Sequence, residues 1–278
     1  MKKINSILDI IDDYDNFILD QWGVMHNGSN GYDHAINTVH YLKKKNKKLF
    51  IISNSSKRKK LSEDLLSDLG FDKNSFKNIL TSGEMIWDTI HKKYFDTSNK
   101  KNCFHIYNTS KEDEMIFREG LNLKYTEKIE DSELILACTP FSNMRPIDYV
   151  PLFNKAIENK LTMYCANPDF ETIEKNNDKN IFCMGAIAEI YKKMGGEVVI
   201  KGKPDIAIYD KSMELIKIDK MRTIAIGDSL FHDIKGANNY AIDSILVRSG
   251  IHKDLNTISK IIQNHKIKPS FLIDNFSI

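Results

Sequence analysis

Four polar residues each follow a short apolar run: Asp20 after Phe17–Leu19, Ser53 after Leu49–Ile52, Lys203 shortly after Val198–Ile200, and Asp228 after Thr223–Ile226. Taken one at a time, each reads as a turn former, a helix cap or a solvated loop charge. Their chemistry nevertheless fits together. Asp20 and Asp228 supply hard oxygen ligands of the kind magnesium prefers, leaving positions for water and a phosphate oxygen. A carboxylate such as Asp20 can also attack phosphorus, dividing hydrolysis into two easier steps through an acyl phosphate. Lys203 would neutralise charge on the nucleophile and the phosphoryl oxygens, and Ser53 would give one of those oxygens a hydrogen bond. Phosphoryl transfer depends mainly on positioning and electrostatics of this kind.

Such a group needs elements that end at one edge. Strand-length apolar runs alternate with segments of helical period. Phe17–Leu19 reads as a buried strand, Tyr32–Lys45 as a helix, and Leu49–Ile52 as a second strand. Leu61, Leu65, Leu66 and Leu69 recur at helical spacing and are closed by Gly70. The rhythm returns near the far end, where Val198–Ile200, Thr223–Ile226 and Ser244–Val247 read as strands of the same sheet. This alternation predicts an α/β fold: a Rossmann-like, doubly wound parallel sheet covered by helices on both faces. Ligands of such folds sit beyond the carboxyl ends of the strands, near a topological switch point. Between these halves lie further strand candidates, Cys103–Tyr107, Leu134–Cys138 and Leu161–Cys165. The expected organisation is a core over residues 1–85 and 197–278, with a second α/β domain over residues 86–196 inserted into it.

Composition bounds the partners. The chain has 278 residues, 41% hydrophobic and 28% charged, with a formal net charge of +2. That balance predicts no general attraction to nucleic acid or to membranes. The lysines at 43–48 sit where a helix should end, which suits its dipole. Neither that run nor Lys57–Lys60 is interleaved with aromatics that could stack bases. Cys103, Cys138, Cys165 and Cys183 form no C-x-x-C pair, so neither a zinc site nor a disulfide framework is expected. Asp9, Asp12 and Asp13 interrupt the apolar stretch that follows Met1-Lys2-Lys3, unlike a signal peptide. The expected setting is cytoplasmic, and a homodimer is compatible with the sequence.

The four sites lie in motifs that resemble the haloacid dehalogenase superfamily, class IIA, whose members include nitrophenyl, nucleotide and sugar phosphatases. The motifs are Phe-Ile-Leu-Asp20-Gln-Trp-Gly-Val-Met-His-Asn-Gly28, Ile-Ile-Ser53-Asn54-Ser55, Ile-Lys-Gly-Lys203-Pro204 and Ile-Gly-Asp228-Ser-Leu-Phe-His-Asp233-Ile-Lys-Gly-Ala237. The inserted segment carries Ala-Asn167-Pro168-Asp169 and Met-Gly185-Ala-Ile-Ala, similar to the cap of that class. The resemblance implies a hydrolase acting on a small phosphorylated metabolite with Mg2+. It makes Asp20 the nucleophile and a metal ligand. The main-chain carbonyl of Trp22 and the Asp228 carboxylate would be further ligands, with Asp233 in support, through water or directly. Ser53, with Asn54 beside it, and Lys203 would hold the phosphoryl group. Gly23–Gly28 would form a flap hairpin, and Asn167, Asp169 and Gly185 would face the phosphate pocket from the cap.

One position departs from the pattern. Most phosphatases of the superfamily carry a second Asp two residues after the nucleophile, which protonates the leaving oxygen and then activates water. Here that residue is Trp22, which can do neither. General acid–base catalysis contributes about 10²–10⁴-fold in rate, so the difference is consequential. Three readings stay open: His26 supplies the proton, unless it is a solvated flap residue; the substrate carries a good leaving group; or the protein binds a phosphorylated ligand with little turnover. Trp22 itself reads either as a stacking platform for a base or sugar ring or as a buried packing residue.

Overall fold

The computed structural model describes residues 1–109, 114–173, 180–214, 218–251 and 254–278. Four strands come first: β1 (Lys2–Lys3), β2 (Asn16–Leu19), β3 (Lys48–Ser53) and β4 (Phe76–Thr81). Helix α1 (Asp33–Lys44) joins β2 to β3, and α2 (Lys59–Asp68) precedes β4. In α1 the spacing of Ala35, Val39 and Leu42 puts all three on one buried face. Asp33 lies in its first turn and Lys43 and Lys44 in its last, each complementing the helix dipole.

The next segment contains α3 (Ser82–Tyr94), β5 (Lys101–Ile106), α4 (Glu114–Arg118), β6 (Leu123–Thr126), β7 (Leu134–Ala137), α5 (Val150–Glu158) and β8 (Thr162–Cys165). A short antiparallel pair, β9 (Glu171–Ile173) and β10 (Asn180–Phe182), leads to α6 (Met184–Lys193) and β11 (Glu197–Ile200). The chain then continues through α7 (Ile206–Met213), β12 (Thr223–Gly227), α8 (Lys235–Tyr240), β13 (Asp243–Val247), α9 (Leu255–His265) and β14 (Phe271–Ile273).

Two compact units result. Residues 1–53, 60–80 and 203–278 form the first; residues 54–59 and 81–202 form the second. The first is built on a seven-stranded sheet of order β1-β14-β13-β12-β2-β3-β4. The pairings from β1 through β3 are parallel. From β2 the chain steps outward to β3 and β4 on one side; it later returns to β12 and steps outward to β13 and β14 on the other. The switch point therefore lies between β2 and β12, the strands that end at Asp20 and Asp228. Phe17, Ile18 and Leu19 of β2 are all buried, which explains why this run is apolar without alternation, while the buried Asn16 that precedes them donates to the Thr223 hydroxyl at 3.1 Å.

The second unit holds a five-stranded sheet of order β11-β8-β7-β5-β6, parallel throughout. Alternate residues enter opposite cores: Phe104, Ile135 and Met163 one, Cys103, Leu134 and Tyr164 the other. Helices therefore cover both faces, as the sequence predicts. One strand corrects the sequence reading. Val198–Ile200 was expected in the first sheet, but β11 pairs with β8 in the second. The second unit accordingly runs to Gly202, past the expected boundary at 196. An apolar run alone does not say which of two parallel sheets will accept it. No helix among the described residues is long and apolar enough to cross a membrane.

Candidate active site

Parallel register aligns the ends of three adjacent strands. Leu19 lies opposite Ile226 in β12 and Ile51 in β3. One residue beyond Leu19 and two beyond Ile226 and Ile51, Asp20, Asp228 and Ser53 come to the same carboxyl edge. The Asp20 amide donates to the carbonyl of Ile226 at 2.9 Å, which continues the ladder for one more residue. Ser53 is buried at the end of β3.

Lys203 reaches this edge from the connection before α7. Its ammonium donates to Asp20 Oδ1 at 2.6 Å and to Asp233 Oδ1 at 2.7 Å, and the residue is 4% exposed. Asp233 sits on a π-helical turn, Leu230–Ile234, that follows β12. Its other oxygen accepts the Ser229 amide at 3.1 Å. Each of Asp20, Asp228 and Asp233 offers an oxygen within 4.8 Å of the others. Asp233 thus stands inside the cluster, joined directly to Lys203.

The electrostatics follow from burial. Desolvation raises the Asp20 carboxyl to about 7, Lys203 opposes that rise, and Asp233 adds to it. Asp228 is pushed well above the usual carboxylate range by burial, then by Asp20 and Asp233. Burial on its own would lower the Lys203 ammonium, but Asp20 and Asp233 outweigh it and hold it above its ordinary value. Three carboxylates face one ammonium, so full ionisation leaves an excess of two negative charges (three minus one) in a buried place. A divalent cation is the natural complement of that excess. Small, hard and oxygen-seeking, magnesium fits this donor set.

The flap explains the glycines around the nucleophile. Gly23 has φ +73°, and a Cβ there would lie 2.1 Å from Asp228 Oδ2. A Cβ on Gly250 would lie 1.8 Å from the same oxygen, which also accepts the Ile251 amide at 2.9 Å. Ser249 donates its hydroxyl to the Gly23 carbonyl at 2.8 Å. Asp228 is therefore clasped between the flap and the loop after β13. The sequence reading missed Ser249, Gly250 and Ile251. The signal was available, because these residues follow an apolar run in the same way as Asp20 and Asp228.

Two expectations about the flap change. His26 is not a solvated residue: it is fully buried. Its Nδ1 accepts the Gly28 amide at 3.0 Å, and its Nε2 lies 3.5 Å from Gln21 Oε1. Trp22 is not a buried packing residue: it is 41% exposed. Its indole stands edge-on to His26 and lies over Gly28, where a Cβ would come within 2.2 Å of the ring. Gly28, at φ +90°, leaves that space open.

The remaining candidates gather within the second unit. Asn54 is buried, donates from Nδ2 to Asp169 Oδ1 at 2.7 Å, and accepts the Ser82 hydroxyl at 3.4 Å. Asn167 Oδ1 accepts the Asp169 amide at 2.8 Å. The Gly185 amide donates to the Asp169 carbonyl at 3.0 Å, and a Cβ at Gly185 would strike the Pro168 carbonyl at 2.2 Å. Asn54, Asn167 and Asp169 therefore fasten one loop against the start of α6.

Comparison with known proteins bears on the family and the fold. Residues 17–120 match the family described as haloacid dehalogenase-like hydrolase, and residues 200–277 match a second family described as HAD-hydrolase-like. An acid sugar phosphatase from Staphylococcus epidermidis is 21% identical over 267 residues, covering 95% of this chain and 96% of its own. The crystal structure of a haloacid dehalogenase-like hydrolase from Brucella suis superposes with a TM-score of 0.83 at 25% identity, covering 98% of this chain and 99% of that one. A glycerol phosphate phosphatase from Mycobacterium tuberculosis, solved in complex with magnesium, gives a TM-score of 0.69 at 16% identity, covering 95% and 75%.

Proposed function

We propose that this chain, which belongs to the haloacid dehalogenase-like hydrolases, is a magnesium-dependent phosphomonoesterase that hydrolyses a small phosphorylated metabolite through an aspartyl-phosphate on Asp20. The single observation that carries the reading is the cluster itself. Asp20, Asp228 and Asp233 converge within 4.8 Å, and one buried ammonium is shared between Asp20 and Asp233. The phosphatase names of the relatives support the same reaction class.

Asp20, Asp228, Asp233 and the main-chain carbonyl of Trp22 would hold the magnesium ion. Bound there, the ion supplies charge neutralisation at the transferring phosphoryl group. The chain's own residues do the rest. Lys203 keeps Asp20 oriented by its 2.6 Å hydrogen bond and brings positive charge beside the phosphoryl oxygens. Ser53 would donate to one of those oxygens, and the Ile251 amide fixes the Asp228 carboxylate. Asp20 attacks phosphorus, the bond to the leaving oxygen breaks, and water later cleaves the aspartyl-phosphate to regenerate Asp20. The second unit would act as a cap domain, and the setting would be cytoplasmic.

The test is phosphate release from a panel of phosphorylated metabolites, with magnesium and with chelator, for wild type and Asp20→Asn. Release that requires both magnesium and Asp20 is expected; a wild type inert across the panel refutes hydrolysis. The exposed Trp22, which is no acid, favours one second reading: a protein that binds a phosphorylated ligand with little turnover. That reading predicts thermal stabilisation by ligand without release.

A further inference from the structure

Among the described residues of the first unit, several proton-bearing groups near Asp20 are committed elsewhere. Lys203 spends two hydrogen bonds on Asp20 and Asp233. The Tyr209 hydroxyl, buried behind the cluster, donates to the Asp233 carbonyl at 3.4 Å. His26 takes the Gly28 amide on Nδ1 and turns Nε2 toward Gln21 Oε1, so both nitrogens serve the flap. Asp228 and Asp233 accept main-chain amides and belong to the metal-ligand set. The residue best placed in sequence to meet a leaving group is Trp22, half-exposed and braced over Gly28. Its indole N–H donates hydrogen bonds but is no acid near neutral pH.

We propose that the natural substrates are phosphoryl compounds with an acidic leaving group (acyl phosphates, phosphoanhydrides or aryl phosphates) and that alkyl phosphates are poor substrates. The inference rests on the phosphatase reading and narrows it. An acidic leaving group departs as its anion, taking the electron pair of the broken P–O bond, so no proton need be supplied to it. Asp20 Oδ forms the new P–O bond. In the second step water oxygen bonds to phosphorus, the Asp20–phosphorus bond breaks, and the water proton passes to buffer. An alkoxide cannot leave in this way at a useful rate, because its charge stays on a strongly basic oxygen.

The experiment compares acetyl phosphate, 4-nitrophenyl phosphate, phenyl phosphate and glycerol 1-phosphate at fixed magnesium. Wild type, Trp22→Phe, Trp22→Asp and Asp20→Asn are assayed side by side by kcat/KM. Wild type and Trp22→Phe should fall steeply along that series. Trp22→Asp should recover about 10²–10⁴-fold on glycerol 1-phosphate relative to its rate on acetyl phosphate, the value of a positioned acid. If Trp22→Asp does not fold, the wild-type series decides by itself. A wild type that handles all four within about tenfold already has its acid, overturning the inference while the phosphatase reading stands. No Asp20-dependent release from any of the four overturns the reading and the inference together.

Discussion

Replacing Lys203 by Met removes a buried positive charge while keeping most of the side-chain volume. Lys203 is 4% exposed and lies 2.6 Å from Asp20, whose side chain is 11% exposed, and 2.7 Å from Asp233, which is buried. Two carboxylates would lose their counter-ion, and the buried Asp233 would keep its charge in a poorly hydrated place. Removing one partner of a buried ion pair costs about 3–5 kcal/mol, against the 0–1 kcal/mol of a surface pair. A typical domain has only about 5–15 kcal/mol in all, so the metal-free variant should be severely weakened. The assay is urea denaturation of metal-free protein near neutral pH in a Trp87→Phe background, followed by fluorescence of Trp22, which belongs to the first unit. The midpoint should move by the equivalent of about 3–5 kcal/mol at an unchanged slope. Added magnesium should restore part of the loss, because it binds the folded cluster alone. A shift below about 1 kcal/mol would place Lys203 in the class of solvated pairs and refute the electrostatic account of the site.

Gly28→Ala should displace the indole of Trp22, since its Cβ would overlap the ring and φ is +90°; a changed emission maximum together with about 1 kcal/mol or more of lost stability is expected. Leu42→Ala, on the fully buried face of α1, should cost about 2–5 kcal/mol in chemical denaturation. Burial lowers the His105 imidazole below 6.5, Arg118 adding to the effect and Glu114 opposing it. Its folded value lies below its unfolded one, so this stability is complete above 6.5 and lost as pH falls. Melting curves from pH 7.5 downward should show an acid-labile second unit, and His105→Gln should flatten that dependence. Burial pushes the Cys103 and Cys165 thiols up to about 12. Native protein at pH 8 should therefore leave both unmodified by Ellman's reagent, and labelling should appear only with unfolding.

Much of this protein is legible in one dimension. Burial on both faces of a parallel strand demands uninterrupted apolar runs, so β2, β3, β12 and β13 could be read directly and their carboxyl ends located. Asp20, Ser53 and Asp228 follow from that rule, and α1 follows from the spacing of Ala35, Val39 and Leu42. The tertiary structure decided what depends on partners. Val198–Ile200 is an apolar run like the others, and only pairing with β8 assigns it to the second sheet. Asp233 was legible as a carboxylate near Asp228, but its direct bond to Lys203 depends on a π-helical turn that turns it inward. Gly250 and Ile251 matter because two loops distant in sequence close on one Asp228 oxygen. His26 and Trp22 exchange their expected environments for the same reason. Composition gives each residue a preference for water or core, while the flap's own hydrogen bonds bury the imidazole and leave the larger, more apolar indole half in solvent. The sequence determined which chemistry is available at the strand ends; the folding of loops around those ends decided which groups remain to perform it.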